Sequence, residues 1–204
     1  MDPYRLRNAD LPAKPEPIDP SRLASSCAVR ARAGSGAFLV ALVDACPELQ
    51  ILRDVKGELG EAFLEEHRAP RPSGYVVSVL GLWQDGPDTV CLDPSRSWWS
   101  ETAIMERLSS RLSRVLCAMS DPDFGAFGVR WYEEGRRVRS ILRVAEQLEL
   151  DGPTMIEEVG VDIGRLEADG VRRIARLPST TDLATKIPLR VVTVRDPIAE
   201  SLLK

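Results

Sequence analysis

The stretch Phe127–Arg143, FGVRWYEEGRRVRSILR, decides the fold class. Two runs of aromatic and β-branched residues flank Glu134-Gly135, and Gly135 takes the positive φ of a tight turn at no steric cost. The stretch therefore reads as a β-hairpin. A two-residue turn pairs Trp131 with Val138 and Phe127 with Leu142, and it sets Arg130 opposite Arg139. Phe127, Val129, Trp131, Val138, Ser140 and Leu142 then share a core face, while Arg130, Tyr132, Arg137 and Arg139 share the other. A three-residue turn with Gly135 left-handed is equally sound chemistry and places Arg137 against Trp131. In both registers the arginines gather. Like charges opposed across a strand pair destabilise it, so an acid must answer them. Glu61, Glu65, Glu66, Glu157 and Glu158 are the candidates in the chain. If one of them serves, the hairpin is scaffold; if none does, it is a recognition surface.

Working upstream, Val115–Met119 reads as a strand joined to the hairpin by the turn cluster Asp121-Pro122-Asp123-Phe124-Gly125. Before it, Ser100 is a candidate N-cap for a helix whose buried face is Ile104, Leu108 and Leu112. Trp98 and Trp99 stand at its entrance, where adjacent side chains cannot both reach the core fully. Tyr75–Trp83 and Thr89–Leu92 are two further strands around the turn Asp85-Gly86-Pro87. Pro47–His67 carries Leu49, Leu52, Val55, Leu59, Phe63 and Leu64 at three- and four-residue steps, the pattern of an amphipathic helix. The apolar run 37–43 reads as a buried strand, and Ser21–Gly36 as a polar loop. Five prolines within residues 1–20 mark an extended tail or strap.

Downstream, Thr154–Val159 and Gly164–Leu177 look helical, Leu189–Val194 is a last strand, and Ile198–Lys204 is a short amphipathic end. The order is β-α-β-β-α-β-β-β-α-α-β. Local hairpins mixed with helices give an α+β fold, a mainly antiparallel sheet with two or more helices packed on one face. The domain runs over residues 21–204, after the Pro-rich tail of residues 1–20.

Composition narrows the function classes. In 204 residues the formal net charge is −4, so no global positive field draws the chain to nucleic acid or to an anionic membrane. Nucleic acid is an unfavoured partner, supported only by the arginines beside Trp131 and Tyr132. Of the 27 basic residues only Lys14, Lys56, Lys186 and Lys204 are lysines, a bias that a GC-rich coding sequence suffices to explain. No apolar run is long enough to span a bilayer, and the N-terminus lacks the apolar core of a signal peptide. The expected location is the cytoplasm.

No catalytic set stands out. Cys27, Cys46, Cys91 and Cys117 are widely spaced, form no Cys-x-x-Cys pair and read as small buried hydrophobes. His67 is the only histidine, which excludes His-rich metal sites. Gly34-Ser35-Gly36 precedes an apolar run instead of following one, the reverse of a dinucleotide fingerprint. Asp121/Asp123 read as turn residues and Glu157/Glu158 as helix surface. No metal and no cofactor is expected.

From Thr89 to Gly160 a strand ending in Asp (VCLD) leads to a helix carrying Leu108-Ser109, then to the apolar strand VLCAM. The hairpin Tyr132–Ser140 and the Glu157-Glu158 segment follow. This succession resembles a pattern found in small bacterial proteins of polymorphic-toxin and neighbouring loci. The resemblance implies an immunity or accessory protein that binds a cognate partner, in the manner of a toxin and its antitoxin, and that does not catalyse. The expectation is a non-enzymatic protein-binding module acting through Arg130, Tyr132, Arg137, Arg139, Trp98 and Trp99. The alternatives are a carboxylate-based enzyme of unknown substrate and a nucleic-acid-binding protein that uses the arginine-rich hairpin.

Overall fold

The computed structural model describes residues 26–60, 62, 77–93 and 97–195. The expected N-terminal strap, His67, Glu61, Glu65, Glu66 and the end at 198–204 lie outside them. The elements are β1 (Ser26–Ala31), α1 (Ser35–Ala45), β2 (Gln50–Glu58), β3 (Val77–Asp85), β4 (Asp88–Asp93), α2 (Thr102–Leu112), β5 (Arg114–Asp121), β6 (Ala126–Glu133), β7 (Arg136–Val144), β8 (Gln147–Asp151), α3 (Ala168–Ala175), α4 (Thr180–Thr185) and β9 (Leu189–Arg195). Short 3₁₀ turns occupy Ser97–Ser100, Ile156–Glu158 and Ile163–Arg165.

The nine strands form one sheet in the order β2-β9-β3-β4-β1-β5-β6-β7-β8, and every pairing is antiparallel. This is the expected α+β architecture. On one face α1 and α2 bury Phe38, Leu42, Met105 and Leu108 against Cys27, Val29, Leu82, Cys117 and Val192. On the other, α3 covers Leu116, Val129, Trp131 and Ile141, while α4 covers Ala28, Leu92 and Val191. The central strands are thus buried on both faces, and small side chains on β1 suit that close packing.

Several expected elements change type. The run 37–43 is part of a helix, with Phe38, Leu42 and Ala45 buried and Val40 64% exposed. A wholly apolar run has no period to read, so helix and strand look alike until packing chooses. Residues 50–58 form an edge strand, not a helix, and Leu52 and Leu59 of the apparent stripe are exposed. Ser26–Ala31, read as loop, is a central strand, held because β4 and β5 pair with it on both sides. Both sheet edges are blunted against further pairing: β2 by two register shifts and Lys56, β8 by its five-residue length and Glu149.

The hairpin of β6 and β7 closes through Glu134 (φ 49°) and Gly135 (φ 85°), both left-handed as a type I′ turn requires. The two-residue register holds for Glu133–Arg136 and Tyr132–Arg137. A bulge then shifts the rest, so Trp131 faces Arg139, Arg130 faces Ser140 and Phe127 faces Arg143. Since a one-residue shift turns each side chain to the opposite face, Ile141 enters the core where Ser140 and Leu142 were expected. The expected Arg130–Arg139 opposition does not occur.

Candidate functional site

The same bulge separates the arginines. Arg139 shares the face of Trp131 and is 5% exposed. Its Nε and Nη2 each donate to a Glu158 carboxylate oxygen at 2.9 Å, and Nη1 donates to the Gly152 carbonyl at 2.8 Å. Glu158 in turn accepts from the Met155 backbone N–H at 2.8 Å, which holds its 3₁₀ turn against the sheet. Arg130 points to the opposite face, stacks 4.0 Å from the centre of the Trp99 ring and donates to the Trp99 carbonyl at 2.6 Å. That ring lies over Gly128, where an added Cβ would sit 2.6 Å from it. Arg137 is the outermost of the three and pairs with Asp151 at 3.2 Å.

Tyr132 and Trp98 are interior, and Trp99 is half-buried. Burial is the main cause that pushes the Tyr132 phenol above its ordinary pKa. The six expected contact residues therefore do not form one surface. Glu158, a candidate acid in the sequence, answers Arg139, so this part of the hairpin is scaffold.

An open cluster of arginines lies elsewhere, at the end of the sheet where β1 finishes and β5 begins. A cavity of about 570 Å³ there is lined by Arg30, Arg32, Arg114 and Arg176 against only two carboxylates, Asp88 and Glu157. Its floor is apolar: Ala31 of β1, Leu116 of β5, Ile174 of α3 and Leu112 at the end of α2. A second chamber of about 310 Å³ shares Ser113 and Arg114 with the first and adds Glu133, Glu134, Arg136 and Val138. The two chambers adjoin at Ser113 and Arg114 and are together called the groove.

Two of the arginines are satisfied internally. Arg30 bridges Asp85 at 2.5 Å and Asp88 at 2.9 Å, and it donates to the carbonyls of Ala175 and Arg176 at the end of α3. Arg114 lies between Glu133 at 3.1 Å and Glu157 at 3.0 Å. Arg32, Arg136 and Arg176 are exposed, and their side chains meet no acid among the described residues.

Among the described residues the non-glycine positions with positive φ are Ser113, Glu134, Ala145 and Arg176, and all but Ala145 line the two chambers. Glu134 takes its φ from the type I′ turn, and Arg176 is the left-handed cap that ends α3.

The sequence offered part of this site. Its surplus of arginine on an acidic chain is plain in the composition, and Arg176 lies in the segment Gly164–Leu177 that reads as helical. Arg32 falls in the stretch Ser21–Gly36 that reads as a loop, and no local signal marks Arg114 or Arg136. Only the placement of β1 between β4 and β5 brings them together.

Among the described residues no group of three or more His, Cys, Asp or Glu side chains is placed to hold a metal ion, and no helix is long and apolar enough to cross a membrane. Comparison with protein-family models, with curated proteins and with solved structures finds no match to this chain.

Proposed function

We propose that the protein is a non-enzymatic binding module that receives an acidic segment of a partner protein in the arginine groove. The observation that carries this reading is the pair Arg32 and Arg176, two exposed guanidiniums on the larger chamber that form no ion pair among the described residues, the chamber's acids Asp88 and Glu157 being taken by Arg30 and Arg114. On a chain of net charge −4 such a local positive site selects acidic partners and steers their approach. Arginine suits the task because its planar fork takes a carboxylate through two hydrogen bonds. The resemblance to immunity and accessory proteins supports a toxin as the partner. Four buried free thiols support a reducing compartment such as the cytoplasm.

The test is fluorescence anisotropy with a labelled glutamate-rich peptide and a lysine-rich peptide of equal length. The glutamate peptide should bind and the lysine peptide should not, with affinity falling as salt rises. Charge reversal in Arg32→Glu or Arg176→Glu should weaken binding about tenfold or more. No binding of the acidic peptide at low salt overturns the reading.

A further inference from the structure

Two arginines of the larger chamber stand open, and each sits on backbone that other side chains hold in place. Arg32 follows the last residue of β1, and the carbonyl of the next residue, Ala33, accepts from Thr89 Oγ1 at 2.7 Å and from Gln84 Nε2 at 3.2 Å. Arg176 ends α3, and Arg30 donates to its carbonyl at 2.8 Å and to that of Ala175 at 2.9 Å. Arg30 also reaches Asp88, so one side chain ties the end of α3 to β1 and to the start of β4. The pairing of β1 with β5 ends at Ala31–Val115, which makes Arg32 and Arg114 the next residues on the two strands. Adjacent like charges repel, and an anion between them relieves the repulsion. Guanidiniums therefore line the chamber from β5, from the end of β1 and from the end of α3.

A carboxylate has two oxygens in one plane, and a single arginine fork fills both. Three guanidiniums from three elements exceed what it can use. A phosphomonoester offers three terminal oxygens and about −1.5 to −2 charge at neutral pH. Arginine clusters are a recurring means of reading phosphorylated segments. We infer that the acidic partner segment carries a phosphorylated side chain, whose phosphoryl group is held by Arg32 and Arg176 with Arg114 beside them. Arg114 is 43% exposed, and its pairs with Glu133 and Glu157 fix its guanidinium in the chamber wall. The inference rests on the acidic-partner reading above and adds the chemistry of the acid.

Three labelled peptides of one glutamate-rich sequence, with serine, glutamate or phosphoserine at the centre, are titrated into the full chain at fixed ionic strength. The phosphoserine peptide should bind at least about tenfold more tightly than the glutamate peptide. Arg32→Gln and Arg176→Gln, both at exposed positions, should each remove most of that preference. The preference should also shrink between about pH 8 and about pH 6, where the phosphate takes its second proton and glutamate stays ionised. Equal binding of the three peptides overturns the phosphate and leaves the acidic partner standing. Binding of none overturns the function reading and the phosphate with it. A preference that survives both arginine variants overturns the site. Inorganic phosphate that competes as well as the phosphoserine peptide overturns the assignment to a partner's side chain.

Discussion

Among the described residues, Arg139 and Glu158 are the charged pair most completely withdrawn from water, with side chains 6% and 3% exposed. Removing one partner strands the other charge in the interior. Arg139→Leu should therefore destabilise the protein by about 3–5 kcal/mol in urea unfolding. Arg139→Leu with Glu158→Leu should recover part of that loss, because only the Met155 N–H and the Asp151 and Gly152 carbonyls then lose a partner. A double variant worse than both singles would show that the pair does not act as a unit. Gly128 is a different kind of single-residue constraint. A methyl group there meets the Trp99 ring, so Gly128→Ala should cost about 1–3 kcal/mol and move Trp99 from beneath Arg130. Changed tryptophan fluorescence together with lost stability is the expected pair of readings. At this scale the sequence said that the hairpin arginines needed an acid and named Glu158 among several. It could not choose, because a bulge decides which face Arg139 points to.

Between elements, the edge pairing of β2 with β9 carries an ion pair with a pH signature. Arg190 donates to both Asp54 oxygens, at 2.8 and 2.6 Å, and this contact lowers the Asp54 pKa from its ordinary value. A carboxylate whose pKa is lower in the folded chain contributes stability above its unfolded pKa and loses it as pH falls through the folded one. The wild type should thus lose part of its stability below about pH 4. Asp54→Asn should lack that part at neutral pH and show a flatter decline in acid. The pair is one-third exposed at Asp54, so the effect is small, about 1 kcal/mol or less after solvent screening. Parallel curves for variant and wild type in thermal melts between pH 2 and pH 7 would count against the pair. Elements with clear local signals, β3 to β7, α2 and β9, were legible in the chain. Segment 37–43 was not, because its apolar run lacks a period. Segment 50–58 was not, because leucines at helical spacing stand on an exposed strand.

Across the whole molecule the four cysteines report on the integrity of the core. All are buried and free, and Cys27 lies 3.4 Å from Cys117 across β1 and β5. The hydrogen bond shared with Cys117, and then burial, push the Cys27 thiol well above its ordinary pKa; burial does the same to Cys91. Thiols kept protonated and out of solvent do not attack disulfides. In native protein at pH 8 an aromatic disulfide reagent should therefore titrate none of them on the timescale of minutes. In denaturant all four should react, with a midpoint that follows global unfolding. Rapid reaction of one cysteine in native buffer would reveal a local opening of the sheet centre.

The sequence by itself determined the antiparallel hairpin, the α+β class, the apolar character of the cysteines and the surplus of arginine over lysine. These follow from local chemistry: turn residues, alternation, helical spacing and composition. Tertiary structure alone decided that SCAVRA is a central strand, because its small residues carry no strand signal until β4 and β5 pair with it. It also decided which arginines are spent inside the protein and which stand open. Arg139 is buried with Glu158, while Arg32, Arg136 and Arg176 converge on one groove from segments more than 140 residues apart in their extremes. Residue type sets what a side chain can bind. The register of a bulge and the order of strands set whether anything in the chain is there to bind it.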